Sequence, residues 1–287
     1  MAKKKIAKKQ PNKTSKPAKP KIASKKRTAK KQVAKKKQKI ANSRFEGFTI
    51  RDCKRVAKST FRIETLHAQQ IEAMRAVLNG KDTIAVLPTG FGKSLIYQTL
   101  ACLVDQPTIT ISPLIALMRD QENALRRAGV QVLRIDSTLG KRDRDEALKK
   151  LRNGGSLVLL TTPESLEAQD VRRALRKSPP ALLTIDEAHC ISEWGHDFRP
   201  AYLGLGNIRE KLGNPTVLAL TATATVHVQD DIAARTKMDK PVKVIAPPHR
   251  SNLRFDVRKV PGSIKLTVAG KLIRKLRRPG IIYCSTT

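Results

Sequence analysis

The sequence has few cysteines and no pattern that would link them. Cys53, Cys102, Cys190 and Cys284 lie far apart and form no CxxC pair. Neither a zinc site nor a disulfide framework is expected, and this cysteine usage fits a reducing intracellular compartment. The expected location is the cytoplasm or nucleoid if the organism is bacterial, and the nucleus if it is eukaryotic.

Long apolar runs are also missing. No run reaches the length of a membrane span, so a membrane partner is not expected. The basic start is not followed by an apolar segment, which argues against a secretory signal.

Acidic and aromatic residues are absent from residues 1–40, although Lys is abundant there. Residues 1–42 cannot bury enough apolar surface to offset the entropy of ordering, so they are predicted to be a disordered basic tail. The formal net charge of the whole chain is +34, and the remainder stays basic without the tail, which indicates a polyanionic partner. The tail would bind DNA phosphates. Alternatives are a tail that serves only solubility or localisation, and an organellar transit peptide.

Apolar strands alternate with helices through most of the remaining sequence. Strands are predicted at 83–87, 108–111, 130–135, 156–160, 181–185 and 216–220. Helices are predicted at 61–79, after Ser94, from Ser112-Pro113 to Gly129, at 141–152, after Pro163, and at about 201–212 and 226–236. This alternation predicts an α/β fold, in which a parallel sheet carries helices on both faces and binds ligands at the carboxyl ends of its strands.

The pattern loosens between Pro241 and Arg250 and then resumes. The sequence predicts a strand at 253–257, a helix at 264–276 and a strand at 280–284. We therefore expect three parts: the tail at 1–42, a first α/β domain at 43–246, and the start of an incomplete second domain at 247–287.

A candidate phosphate loop, Pro88 to Ser94, lies between the first strand and a helix. Gly90 and Gly92 would let backbone amides approach phosphates, and Lys93 would meet the β- and γ-phosphate charge. Ser94 would hold Mg²⁺. The strict pattern requires Gly where Leu87 stands, and a glycine-rich turn before a helix can be no more than a turn.

Two adjacent carboxylates, Asp186 and Glu187, follow another buried strand. Asp186 would reach Mg²⁺, and Glu187 would activate an attacking water as a general base. Taken alone, the pair could equally be an acidic cap on the next helix. Thr221 and Thr223 also follow a strand, and their hydroxyls would either relay the nucleotide state or cap a helix.

Aromatic and cationic residues come directly after the carboxylates. Trp194, the only tryptophan, and Phe198 would stack on bases, while His196 and Arg199 would contact phosphates. The alternative is a tryptophan that anchors a long loop to the core.

Together these residues resemble the RecQ family of DNA helicases, within the larger DEAD/DEAH class, from about Phe61 to Cys284. The segment from Asp186 to Pro200 resembles the family's Asp-Glu-Ala-His box and the aromatic-rich loop that couples DNA binding to ATP hydrolysis. Tyr283-Cys284-Ser285 resembles the opening of the second motor domain.

The resemblance implies a RecA-like sheet, ATP and Mg²⁺ as cofactors, and single-stranded DNA and duplex junctions as partners. It also implies 3′-to-5′ unwinding in DNA repair and recombination. Residues in matching positions would bind nucleotide (Gln70, Thr89, Gly90, Gly92, Lys93, Ser94), catalyse hydrolysis (Lys93, Asp186, Glu187), bind DNA (Ser112, Pro113, Gln121, Trp194, Phe198, Arg199) and couple the two events (His189, Thr221, Thr223).

The sequence departs from the family pattern at two places. Ile63 and His67 stand where an aromatic residue and an arginine are expected, which weakens the prediction of adenine recognition. The second motor domain, which brings arginines to the γ-phosphate, is not complete within the 287 residues, so weak nucleotide and DNA binding without efficient unwinding or turnover is expected. An RNA helicase of the same class and a non-enzymatic basic nucleic-acid-binding protein are the alternatives.

Overall fold

The computed structural model describes residues 44–247, 253–276 and 279–283. The chain divides into two units at the Pro247–Pro248 bond. The predicted tail and the Cys284-Ser285 part of the predicted second-domain motif lie outside the described residues. Within them, no helix is both long and apolar enough to cross a membrane.

The first unit is built on a seven-stranded parallel sheet. Its strands are β1 (Thr83–Val86), β2 (Pro107–Ile111), β3 (Val132–Ile135), β4 (Leu157–Thr161), β5 (Leu182–Ile185), β6 (Thr216–Thr221) and β7 (Val242–Ile245). They lie in the order β3-β4-β2-β5-β6-β1-β7. The predicted α/β fold is confirmed.

Helices connect the strands and cover both faces. The first unit has α1 (Ile50–Phe61), α2 (Ala68–Leu78), α3 (Lys93–Ala101), α4 (Ile115–Arg127), α5 (Lys141–Asn153), α6 (Pro163–Glu167), α7 (Gln169–Lys177), α8 (Leu205–Lys211) and α9 (Val226–Arg235). Successive strand residues point to opposite faces. Ile84 and Val86 accordingly pack in one apolar core, and Ala85 and Leu87 pack in the other.

The second unit contains α10 (Lys265–Lys275), close to the predicted helix at 264–276. The prediction of a strand at 253–257 is wrong, because these residues do not pair with any described strand. No strand is present at 280–283 either.

Two helix boundaries differ from the predictions. The helix predicted at 61–79 corresponds to α2, which begins only at Ala68. The helix α1 was not predicted, and it ends at Arg62, which adopts a left-handed conformation (φ 58°). The helix expected to start at Pro113 begins at Ile115, since Leu114 is still extended.

The strand β7 was not predicted. Its residues pair with β1, from Thr83 with Val242 to Val86 with Ile245, at one edge of the sheet. The exposed Lys243 interrupts the apolar run, and prolines flank the strand on both sides, so its apolar signal is weak.

A buried ion pair fixes the starts of two strands. Arg209 of α8 donates from Nη2 to both carboxylate oxygens of Asp82, at 2.8 Å each. Its other nitrogens donate to the carbonyls of Pro215, Thr236 and Lys237. The Asp82 carboxylate also accepts from the Val217 amide at 3.0 Å. The pair therefore joins the starts of β1 and β6 to the turn after α9.

Replacing Arg209 by methionine would leave Asp82 buried and without its cationic partner. We expect the variant Arg209→Met to lose about 3–5 kcal/mol of unfolding free energy in urea denaturation. Lys211→Met, on the exposed side of the same helix, is the control and should change it by less than about 0.5 kcal/mol. Equal losses in the two variants would contradict a structural role for the pair.

Candidate nucleotide-binding site and its coupled loop

The predicted phosphate loop connects β1 to α3. Gly90 (φ 81°) and Gly92 (φ 74°) both adopt the left-handed conformation that glycine tolerates best. The Lys93 Nζ donates to the Leu87 carbonyl at 3.1 Å, so the lysine lies across the loop. Thr89 is exposed and Ser94 is half-buried. The amide groups at the start of α3 then lie beside these side chains, which suits an anion.

Gln70 supports this loop from α2. Its Oε1 accepts from the His67 amide at 2.8 Å, and its Nε2 donates to the carbonyls of Phe91 and Gly92 at 3.1 and 3.0 Å. The His67 ring also packs against the Phe91 ring, with centroids 4.4 Å apart. Gln70 thus uses both ends of its amide within the protein, and its predicted contact with a nucleotide stays a prediction.

Asp186 stands at the end of β5, almost completely buried. Burial and, to a smaller extent, the neighbouring Glu187 charge raise the pKa of its carboxyl to about 6, while Lys93 acts in the opposite direction. Its Oδ1 accepts from the Glu187 amide at 3.1 Å. A buried carboxylate of this kind is stabilised by a nearby cation.

The predicted contact of Gln121 with DNA stays a prediction, and the structure places this side chain inside the domain. Gln121 lies on the inner side of α4, where it is buried. Its Nε2 lies 3.4 Å from the Ser94 Oγ, and its Oε1 accepts from the Tyr97 hydroxyl at 2.9 Å. A hydrogen bond from Gln121 also lowers the pKa of Asp186. Gln121 therefore joins the two predicted Mg²⁺ ligands, and its amide is turned away from the surface.

Glu187 is held next to Asp186 in a strained backbone conformation. Its φ and ψ are both 48°, in the left-handed region that a non-glycine residue seldom adopts. Its carboxylate lies 3.3 Å from the His189 Nδ1, and this hydrogen bond is the main reason why the pKa of Glu187 is lowered. Glu187 is therefore ionised at neutral pH.

His189 links Glu187 to the loop after β6. Its Nδ1 lies 2.9 Å from the Thr221 Oγ1. The Thr221 hydroxyl donates to the Thr223 carbonyl at 3.1 Å and accepts from the Thr223 amide at 3.2 Å. Because the Glu187 carboxylate only accepts, the proton must be on Nδ1 of His189. The predicted contact between the threonines and the acidic pair is therefore indirect and passes through His189, and the relay of the nucleotide state stays a prediction.

The aromatic-rich loop lies against the other side of His189. The His196 ring packs on the His189 ring, with centroids 3.9 Å apart. Trp194 is 74% exposed, and its ring approaches that of His227 at 5.5 Å. An exposed Trp194 excludes the core-anchor interpretation. A groove of about 350 Å³ runs beside these rings and is lined by His189, Trp194, Gly195, His196, Thr223, Ala224, Thr225 and Val228.

Two contacts in this loop were not predicted from the sequence. The Ser192 hydroxyl donates to Asp231 of α9 at 2.6 Å and accepts from the Trp194 amide at 3.2 Å. His196 was expected to contact phosphates, but it instead stacks on His189. In the sequence, His189 and His196 lie on either side of Trp194, and this spacing alone does not indicate that their rings stack.

Among the remaining predicted DNA-binding residues, Ser112 and Pro113 lie in the loop after β2, and Arg199 contacts this loop. Arg199 donates to the Pro113 carbonyl at 3.1 Å and forms an ion pair with Asp197 at 3.1 Å. Ser112 is buried, and its Oγ accepts from the Leu114 amide at 3.5 Å. A direct contact of the Ser112 side chain with DNA would require this buried group to turn outwards. Phe198 is half-buried.

Comparisons with known proteins agree with this site. A sequence profile described as DEAD/DEAH box helicase matches residues 67–232. The chain is 40% identical over 219 residues to the probable ATP-dependent DNA helicase RecS of Bacillus subtilis, covering 76% of this chain and 44% of that protein. It is 40% identical over 229 residues to the ATP-dependent DNA helicase RecQ of Bacillus subtilis, covering 79% and 38%.

One solved structure shows the same fold at low sequence identity. The crystal structure of the DUF1998 helicase MrfA bound to DNA and AMPPNP aligns with a TM-score of 0.53 and 18% identity, over 68% of this chain and 29% of that one.

The chain therefore belongs to the DEAD/DEAH box helicases, and within them to the RecQ family. This confirms the family that the Asp186 to Pro200 segment indicated, and membership implies the use of ATP. The chain spans less than half the length of the two Bacillus relatives.

The raised pKa of Asp186 predicts a pH-dependent stability difference. As pH rises from the ordinary value of 3.8 through about 6, the folded state retains a proton that the unfolded state loses, so charging Asp186 increasingly destabilises the fold. Asp186→Asn removes this charge. In chelator-containing buffer, urea denaturation should show a stabilisation about 1 kcal/mol larger at pH 8 than at pH 5. An identical difference at both pH values would contradict a desolvated carboxylate.

Gly195 is predicted to keep the aromatic-rich loop against the His189 backbone. A Cβ at Gly195 would lie 2.2 Å from the His189 carbonyl oxygen, so Gly195→Ala must displace the loop. We expect a loss of about 1–3 kcal/mol in stability and a shift in Trp194 fluorescence. Gly140→Ala, where the nearest contact is Asp143 at 3.8 Å, is the control. An unshifted emission spectrum in the Gly195 variant would contradict this close packing.

Proposed function

We propose that this chain carries the nucleotide-binding domain of a RecQ-type, ATP-dependent DNA helicase that unwinds duplex DNA in the 3′-to-5′ direction, in DNA repair and recombination. Its partners would be single-stranded DNA and duplex junctions, and the Lys-rich tail would bind DNA phosphates. One observation carries the proposal: the buried His189 contacts both Glu187 and Thr221, while the loop that bears Trp194 packs on the same ring system.

The residues around the phosphate loop suit a nucleotide with Mg²⁺. Oxygen ligands are those that Mg²⁺ prefers, usually one or two carboxylates together with phosphates. Asp186 and Ser94 offer a carboxylate and a hydroxyl, joined through Gln121. No larger cluster of potential ligands occurs among the described residues, which fits a site completed by phosphate oxygens. Mg²⁺, when bound, neutralises phosphate charge.

The chain's own groups then have separate roles in hydrolysis. Lys93 Nζ would exchange the Leu87 carbonyl for a phosphate oxygen. Glu187, ionised because of its hydrogen bond to His189, would accept a proton from the attacking water at its carboxylate. Gln70 would hold the loop carbonyls of Phe91 and Gly92 in place, so that the loop amides stay directed at the phosphates.

Base stacking on Trp194 would change the position of Glu187 through the rings of His196 and His189. The exposed Trp194 offers a flat apolar surface for a base. Movement of its loop would shift His196, which packs on His189, and His189 in turn donates to Glu187. Thr221 competes for the same Nδ1 proton, so a small ring rotation would change how strongly Glu187 is held.

This proposal predicts a coupling between nucleotide and DNA binding that depends on His189. Affinity for a non-hydrolysable ATP analogue should be measured with and without a single-stranded DNA oligomer, in the full chain. We expect DNA to change this affinity by about 5- to 150-fold, the usual range for coupled sites. His189→Ala should reduce the factor to near one while each ligand still binds alone.

Glu193→Ala provides the matched control, because Glu193 is exposed in the same loop. Its coupling factor should equal that of the unaltered chain. An RNA oligomer tested in parallel separates the substrates, since stronger coupling to RNA would favour an RNA helicase. Absence of coupling to either nucleic acid in the unaltered chain would overturn the proposed function.

A further inference from the structure

Exposed cations surround the edge of the sheet that faces away from the nucleotide site. We define the amino edge as the segments that lead into the strands, namely 79–82, 102–106, 128–131, 154–156, 178–181, 212–215 and 236–241, together with the last helical turns before them. Because all seven strands are parallel, these segments lie at the same end of the sheet. The nucleotide site and the Trp194 loop lie at the other end.

The amino edge carries many cations that have no acidic partner in the described part of the chain. Its exposed residues without an ion pair there are Arg75, Lys81, Arg127, Arg152, Arg176, Lys177, Lys211, Arg235 and Lys240. Acidic residues at the same edge are few: Asp105 and Asp239 are exposed, Glu210 is paired with Lys237, and the buried Asp82 is paired with Arg209. The surface is therefore strongly positive.

Helix dipoles do not account for this arrangement. A cation in the last turn stabilises a helix, but the effect falls off beyond that turn. The short helix α7 ends with two, Arg176 and Lys177, and Lys81 and Lys240 lie outside the helices altogether. The excess charge requires another explanation.

Arg44, the first residue that the structure describes, lies at this same edge. It donates from Nη1 to the Pro179 carbonyl at 2.6 Å, in the segment that leads into β5. The next residue, Phe45, is fully buried in the core. Arg44 therefore adds one more cation to the amino edge.

We propose that the amino edge is a second nucleic-acid-binding surface, which binds the phosphate backbone of duplex DNA independently of the nucleotide site. No aromatic residue occurs in the seven segments that lead into the strands, so the edge has no platform on which single-stranded bases could stack. Seven strands spaced by roughly 4.8 Å span about 29 Å. This length corresponds to roughly eight base pairs of B-DNA at about 3.4 Å each.

The surface would hold duplex DNA while the Trp194 loop engages the separated strand. Phosphate contacts position a protein on DNA without reading its sequence. The binding would consequently be insensitive to sequence and strongly dependent on salt, with one counterion released for each phosphate that is neutralised.

Removing four cations of the edge should weaken duplex binding selectively. The edge variant combines Arg152→Ala, Arg176→Ala, Lys177→Ala and Lys211→Ala in the full chain. The matched control combines Arg51→Ala, Lys54→Ala, Lys141→Ala and Arg142→Ala, which removes the same charge from exposed positions of the first unit outside the amino edge. Anisotropy of a labelled 20-base-pair duplex, without nucleotide, would be measured over a salt series.

We expect the edge variant to lose at least tenfold in affinity at about 150 mM salt, and its salt slope to fall by about 2–4, since each phosphate contact contributes about 0.9. The control should keep most of the affinity and slope. Equal losses in both variants would show that binding follows net charge alone and would overturn the proposal. Circular dichroism and binding of the ATP analogue verify that the variants are folded.

The single tryptophan provides a second test that needs no variant. Trp194 is the only tryptophan of the chain and lies at the opposite end of the sheet, so its fluorescence reports the coupled loop. Duplex bound at the amino edge should raise the anisotropy and leave Trp194 emission unchanged, whereas single-stranded DNA should quench it. Quenching by duplex with the same midpoint would place the duplex at Trp194 and overturn the proposal. Neither result depends on nucleotide coupling, so the proposed function is tested separately.

Discussion

A charged carboxyl group buried at the end of a strand is the constraint on which the rest of this site depends. Asp186 lies at the centre of the sheet, where β5 ends between β2 and β6, and water cannot stabilise its charge there. Its raised pKa shows that the folded protein alone does not offset this loss of hydration. A nearby cation would stabilise the ionised carboxyl, and the Lys93 charge already acts to lower its pKa.

Glutamine side chains explain how the site stays in place around this unstable charge. Gln70 binds two carbonyls of the phosphate loop, and Gln121 joins Ser94 to Tyr97 and Asp186. A neutral amide can satisfy buried donors and acceptors together without adding another charge that would need compensation. Both glutamines come from helices that pack against the sheet, so the core positions the loop before a ligand arrives.

The sequence predicted the sheet well, because buried strands are continuous apolar runs. The roles assigned to Gly90, Gly92 and Lys93 rest on their spacing and stay predictions. The errors in the fold arise where tertiary contacts decide. The strand β7 pairs with the open edge of β1, and α1 was missed although it ends at the left-handed Arg62. Gln121 matches a DNA-contact pattern, but it lies on the inner side of α4, next to Ser94.

Parallel topology gives the domain two chemically different ends. Every crossover helix returns the chain from the carboxyl end to the amino end, so helices begin near the nucleotide site and finish at the opposite edge. Acidic residues favour helix starts and basic residues favour helix ends, and Asp143, Glu164 and Asp170 accordingly lie in first turns. Topology alone thus separates the charges along the strand direction. Additional lysines and arginines at the amino edge, such as Lys81 and Lys240 outside the helices, enlarge this separation. A motor that uses one end of the sheet for nucleotide and single strand would then have the other end available to hold the duplex.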